Sequence, residues 1–425
     1  MMPPTLRLLI GRTFAALGTA LIPTTLTLAI VGTGSAADLG LVLSCELLPL
    51  LLLLPVAGVV ADRFPPQRVT LAADLIRAVT QLAIGAELLA GQVRIADLAV
   101  LSAITGAAVA FGTPAVRTLV AAVVPAPERL RVNARLGVAQ GLAQVAAPAT
   151  AGGLMLLVGA GWSSLLTGAL FVVSATTLGR LHPEPTARPT ARGDFLADLR
   201  EGWAESRRHR WFVLNALGHG VWHLAAGFLL TLGPLIAVRH LGGETAWVII
   251  TQVGTAGMLA GVWAASRLPI RRPLVAIALG AAVYALPLAA FALRLPTAAV
   301  TVAYCAAMFG LGVLSPLWET TLQQRIPREA LGRVGSFDML ISFAARPLGL
   351  AVAAPVAAAV GTTAPLLAAA VLVAVANLAV LLLPEVRGDR PDTARPDTAR
   401  PDTARPDAAR PDAARPDAAA SPVQR

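Results

Sequence analysis

The chain has no lysine, and all 34 of its lysine-or-arginine positions are arginine. A phosphate-binding loop of the Gly-x-x-x-x-Gly-Lys-[Ser/Thr] kind needs that lysine, so the sequence offers no such site for work driven by nucleotide hydrolysis. Charge of either sign is scarce, at 14% of residues, where a soluble domain carries about 25%. Cysteine is nearly absent. Cys45 and Cys305 stand in separate apolar runs without the spacing of a metal site or a disulfide, and read as buried small hydrophobes. No pattern of a soluble enzyme emerges, so the expectation is a non-enzymatic chain without cofactor or metal.

What is abundant is apolar sequence. Hydrophobic residues make up 56% of the chain and mean hydropathy is +0.70. Apolar runs fall near 8–30, 39–60, 69–90, 96–122, 135–158, 162–181, 211–236, 245–265, 273–293, 297–324, 334–360 and 364–383. Each is close to the ~20 residues a helix needs to cross a bilayer, which predicts an all-α membrane protein of twelve transmembrane helices. The start, Arg7 to Ala37, has the basic, apolar and small-residue order of a signal peptide. With eleven further spans behind it, a retained first helix is expected.

A formal charge of +10 would suit nucleic acid, but its distribution points to a membrane. Arginines gather in alternate loops: Arg63 and Arg68; Arg129 and Arg131; Arg188, Arg192, Arg200, Arg207, Arg208 and Arg210; Arg267, Arg271 and Arg272; Arg325 and Arg328. The intervening loops hold Arg94, Arg239 and Arg294. This positive-inside asymmetry predicts cytoplasmic termini, an outward-facing Gly32 to Asp38, lipid as the surrounding partner and no nucleic acid.

The chain also repeats itself. Pro114 to Pro125 and Pro316 to Pro327 match at a single offset, which also carries Arg131-Val132 onto Arg333-Val334. Weak internal symmetry of this kind is what two six-helix repeats leave in sequence. The expected organisation is a first half over 1–181, a cytoplasmic linker over 182–210, a second half over 211–384 and a tail over 385–425. Within the linker, apolar residues at 195, 196, 199 and 203 predict a short amphipathic surface helix. The tail repeats Arg-Pro-Asp-Thr-Ala and then Arg-Pro-Asp-Ala-Ala, with nothing large and apolar to bury, and is expected to be disordered.

Between the second and third spans lies Gly58-Val-Val-Ala-Asp62-Arg63-Phe-Pro-Pro-Gln-Arg68. A charged turn between two spans must lie at a membrane face. Its Gly58, Asp62, Arg63 and Arg68 resemble the loop between helices 2 and 3 of the major facilitator superfamily, although Phe64-Pro65-Pro66-Gln67 departs from the usual Gly-Arg-Arg core. Arg12 with Leu17-Gly18, Asp74-Leu-Ile-Arg77, Pro114 with Pro125, Asn133-Ala134, Ala147 to Gly152 and Arg346-Pro347-Leu-Gly349 look like the bacterial branch of macrolide-efflux and siderophore-export proteins. Two positions depart from that branch: Thr19 stands where it often has Asp, and Ala147 replaces the Gly before the helix 5 proline.

Ionisable groups at membrane depth cost about 2.5 to 3.5 kcal/mol on insertion scales, so each needs a partner, a wet cavity or a function. Glu46 has no positive partner nearby in sequence and is the proton-coupling candidate, against a structural alternative of bonding a neighbouring helix. Asp74 and Arg77, an i,i+3 pair, are expected to form a supporting cluster with Arg63 or Arg68. His219 and His223 share a helical face but lack a third metal ligand, so with Trp222 they are expected to line a cavity. Gln140, Gln144, Gln252 and Asn377 read as interhelical hydrogen-bonding groups, and Gly254, Gly257 and Gly261 as a close-packing stripe.

The resemblance implies that the Asp62 loop lies beside the second half and gates the conformational change, with Asp62 expected against the start of helix 11 near Gly332 to Ser336, where a carboxylate favours a helix N-terminus. The repeat offset superposes Arg117 on Glu319, which suggests an inner-gate pair across the pseudo-two-fold axis; the alternative is that each bonds within its own half. The resemblance implies a monomeric, multi-pass transporter of the cell membrane that exports a hydrophobic or amphipathic, drug-like molecule with protons as coupling ion; the direction of transport comes from that resemblance alone. A siderophore or metabolite exporter or an importer, and a non-transporting scaffold, are the alternatives.

Overall fold

The computed structural model describes residues 2–31, 36–91, 94–179, 181 and 195–388, and every regular element among them is helical. The first six long helices are α1 (Pro4–Val31), α2 (Ala36–Arg63), α3 (Pro66–Leu89), α4 (Ile95–Val123), α5 (Arg129–Val158) and α6 (Ala160–Leu178). A short α7 (Phe195–Arg208) precedes α8 (Arg210–His240), α9 (Glu244–Ala265), α10 (Pro273–Ala282) and α11 (Ala285–Ala292). The remainder are α12 (Thr297–Arg325), α13 (Leu331–Phe343), α14 (Ala345–Val360), α15 (Thr363–Ala379) and α16 (Pro384–Arg387).

Among the described residues eleven stretches are long and apolar enough to cross a membrane, with α10–α11 forming one span and α13–α14 another. The twelfth is α5, 30 residues long, whose apolar character is diluted by Arg129, Arg131, Asn133, Arg135, Gln140 and Gln144. The molecule is therefore an all-helical membrane protein of twelve spans.

Proline sets several helix ends. Pro66 and Pro273 stand in the first turn of their helices, where a missing N–H leaves no bond unmade. α10 stops at Ala282 and α13 at Phe343. Pro287 and Pro347 follow, and a proline ring strikes the carbonyl four residues back, here that of Val283 and of Phe343. Two membrane spans are thus broken at mid-depth for one steric reason.

Within the first six helices, α2 packs on α4, α3 on α4 and α6, and α1 on α5 and α6. In the second set α9 packs on α12, α8 on α14 and α15, and α10 on α12. Gly254, Gly257 and Gly261 let α9 approach α12: a Cβ on Gly257 would come 2.6 Å from the Cys305 carbonyl oxygen. One continuous apolar core runs through α8 to α16 and takes in Ala121 of α4, whereas α1 to α6 otherwise hold three smaller clusters. Leu52, Val79, Leu157 and Val302 point outward, as side chains bathed by lipid would.

Cys45 and Cys305 are free and half-buried rather than enclosed. Each stands at the edge of a helix contact, Cys45 beside the α1–α4 core and Cys305 beside Gly257. The first loop at 32–35, linker residues 182–194 and the repeat tail from 389 lie outside the described residues.

Candidate functional site

Helices α2, α4 and α5 of the first set meet α9, α12 and α13 of the second. The polar part of this seam lies toward one face of the bundle, where the chain turns at 64–65, 124–128, 266–272 and 326–330. This basic face carries Arg68 in the first turn of α3 and Arg271, Arg272 and Arg328 in its loops.

Asp62, in the last turn of α2, sits at the N-terminus of α13. Its Oδ1 accepts from the Gly332 N–H at 2.7 Å, and its Oδ2 from the Arg333 N–H and Nε, each at 3.0 Å. These are the backbone donors that a helix start leaves without intrahelical partners, and the carboxylate also meets the positive end of the helix dipole. Gly58, one turn earlier, allows this approach: a Cβ there would stand 2.9 Å from the Gly332 carbonyl oxygen.

Arg333 continues outward, donating from Nη1 to Glu201 at 2.9 Å and to the Asp198 carbonyl at 3.2 Å. Arg63 bonds the Asp198 carboxylate. Helix α7 is therefore held by an arginine from each half, with Trp203 against Phe337 at 5.4 Å between ring centroids. Arg68 is exposed and joins no ion pair among the described residues.

Deeper in the seam, Arg117 of α4 grips Glu319 of α12 with both arms, Nε to Oε2 and Nη2 to Oε1, each at 2.6 Å. Nη2 also reaches Asp338 of α13 at 3.2 Å, and the Trp318 indole N–H donates to the same carboxylate at 3.0 Å. Planar guanidinium and carboxylate match in this paired geometry, which makes the bonds directional as well as charged. Asn133 of α5 donates to Thr320 at 2.9 Å and to Gln323 at 3.0 Å, and Arg129 donates to the Gln323 carbonyl at 2.8 Å. Asp338, Asp198 and Glu201 were not singled out in the sequence, and Arg333 entered only as the repeat partner of Arg131. The signal available for Asp338 was an acid inside an apolar run.

Asp74 and Arg77 are placed differently from the sequence expectation. Asp74 takes a hydrogen bond from Arg12 of α1 at 2.9 Å and from Ser174 of α6 at 2.6 Å, with Arg77 at 3.9 Å. Arg77 donates to Thr19 and lies 3.9 Å over the Phe171 ring. Neither Arg63 nor Arg68 takes part, because the Asp74 turn faces α1 and α6 rather than the loop below it. Glu46 lies within electrostatic reach of Arg77, so it does have a positive neighbour, from α3.

In the second half His219 meets Trp318 edge-on at 4.9 Å. His223 lies between Trp222 and Phe343, each at 4.1 Å. The two imidazoles thus pack with different partners, and His219 Nε2, His223 Nδ1 and Trp222 Nε1 lack hydrogen-bond partners. Among the described residues no three His, Cys, Asp or Glu side chains gather closely enough to hold a metal. Asn377 bonds the Gly218 carbonyl across to α8 at 3.3 Å. Gln140, Gln144 and Gln252 are instead exposed.

Twelve spans closed at one end by ion pairs between two helix sets make the build of a membrane transporter. The chain belongs to the major facilitator superfamily, whose family model matches residues 8–350. It is 31% identical over 374 residues to the multidrug efflux pump Tap of Mycobacterium tuberculosis, covering 83% of this chain and 87% of that one. It is 27% identical over 371 residues to Tap of Mycolicibacterium fortuitum, covering 83% and 89%. Among solved structures, a bacterial homologue of the iron transporter ferroportin in an outward-facing state superposes with TM-score 0.73 at 18% identity, over 90% of this chain and 99% of that one. The proton:xylose symporter XylE superposes with TM-score 0.69 at 14% identity, over 89% and 95%. As a transporter of this superfamily, the protein acts on a small molecule.

Proposed function

We propose that this protein exports hydrophobic or amphipathic, drug-like molecules across the cell membrane in exchange for protons, as a monomer with both termini in the cytoplasm. In this reading 1–181 and 211–384 are the moving halves, 182–210 joins them and 385–425 is a tail. The observation that carries it is the seam: every cross-half hydrogen bond and ion pair among the described residues lies toward the basic face. Toward the opposite face, α14 buries only Gly349 and Ala353. With the basic face cytoplasmic, this is a transporter shut inside and open outside. Arg117 with Glu319 and Asp338 forms the inner gate, and Asp62 on α13 latches it. Glu46 is the proton carrier. The direction of transport rests on the relatives with efflux names.

The test is ethidium accumulation in a host stripped of its own exporters. Expression lowers accumulation, a protonophore restores it, and Glu46→Gln removes the protonophore-sensitive part. Unchanged accumulation of ethidium and of a panel of amphipathic drugs, at normal membrane expression, defeats the export reading. Orientation is checked separately: in intact cells a cysteine at Gly242 reacts with an impermeant maleimide and one at Gln67 does not.

A further inference from the structure

Arg346 opens α14 beside the break that Pro347 imposes, about 15 residues and hence ~22 Å from the start of α13. It is half-buried and has neither a hydrogen bond nor an ion pair among the described residues. Arg12 and Arg77, by contrast, are committed to Asp74, and Arg117 to Glu319 and Asp338. An unpaired cation at membrane depth is costly and marks a pathway or a ligand position.

Its surroundings are rich in donors. Gly220 and Gly227 of α8 abut Ile341 and Gly349, a Cβ on each coming 2.9 Å from the Ile341 carbonyl oxygen and 2.6 Å from the Gly349 carbonyl carbon, which brackets His223 beside Arg346. Tyr284 between α10 and α11 and Tyr304 of α12 also lie within electrostatic reach of that guanidinium. Trp222 packs edge-on to Tyr284 at 5.7 Å. The Trp222 indole nitrogen, which can only donate, and Nδ1 of His223, whose residue is 4% exposed, both lack partners. Among the described residues no carboxylate of α8 to α15 pairs with Arg346. A lining with a guanidinium, an unused indole N–H and phenol hydroxyls calls for a ligand that supplies acceptors and negative charge. The rings of Trp222 and Phe343 favour a flat apolar body attached to that charge.

The geometry points to a subsite in the second half, centred on Arg346 and lined by Trp222, His223, Tyr284, Tyr304 and Phe343, that takes the acidic group of a planar aromatic or conjugated acid. This deepens the export reading, on which it rests for the fate of the ligand, by giving the cargo a charge and a shape.

Binding is measured by calorimetry on the full chain in lipid nanodiscs, with naphthoate and its neutral counterpart naphthamide as probes. Naphthoate is expected to bind about tenfold tighter than naphthamide. Arg346→Gln abolishes that preference, Arg346→Lys keeps part of it because a point charge replaces a planar fork, and Tyr304→Phe weakens naphthoate alone. Equal binding of the two probes by the wild type overturns the subsite, as does a preference that survives in Arg346→Gln. Should Arg346→Gln fail to elute as a single species, the wild-type preference and Tyr304→Phe decide, and an unweakened naphthoate affinity in Tyr304→Phe overturns the lining. Arg346-dependent naphthoate binding without vesicle export keeps the subsite and removes the export reading. Export without charge preference does the reverse.

Discussion

Two groups of charges lie inside this bundle and behave differently. Arg12, Asp74 and Arg77 belong to α1 and α3, with Ser174 of α6 completing the Asp74 shell. Every member comes from the first half, so rocking of the halves leaves the group intact. Arg117, Glu319 and Asp338 straddle both halves, so separation of the halves on this face exposes them to water. Charge kept within a half holds that half together. Charge shared between halves would, on the proposed gating, set which state is populated.

The largest effect expected from this contrast is at Asp74. Asp74→Ala strands two arginines at depth, and removing one member of a buried pair costs about 3 to 5 kcal/mol. Expression and thermal stability, read by size-exclusion after heating, should collapse. If the variant keeps wild-type stability, the first group is not structural and the contrast fails.

Next comes the gate. Arg117→Ala and Glu319→Ala should each lower transport about tenfold, roughly 1.4 kcal/mol in the populations, with stability little changed. Exchanging the two as Arg117→Glu with Glu319→Arg should restore part of the loss, and simple addition of the single effects would mean the residues act independently. Asp62→Asn should be mildest, since a carboxylate at a helix start contributes about 0.3 to 1 kcal/mol. Cysteine labelling from the basic face should rise with transport down only a few-fold. A loss as large as that at Arg117 would make the latch, not the deeper pair, the principal lock.

The spans were legible in the sequence because twelve apolar runs of bilayer length in one chain have nowhere to be buried except in lipid and against each other. The Arg117 and Glu319 contact was legible because a repeat offset converts sequence register into symmetry. Asp74 was misjudged by looking only along its own helix: Arg12 and Ser174 are 62 and 100 residues away, and no spacing rule names a partner on another helix. The same blindness hid Asp198 and Glu201 and the bonds Arg333 makes to them, whose use depends on where α7 comes to rest. Arg346 stands in the sequence only as part of a family pattern, since lack of a partner becomes visible only once the surroundings are built.

Helix α7 is gripped by Arg63 from one half and by Arg333 from the other. If the halves part at this end, one grip must slip, and the Trp203 ring then changes its distance to Phe337. The molecule thus carries an optical readout of its own posture: the emission of Trp203, isolated by replacing the other indoles, should shift as the transporter cycles, with no label attached.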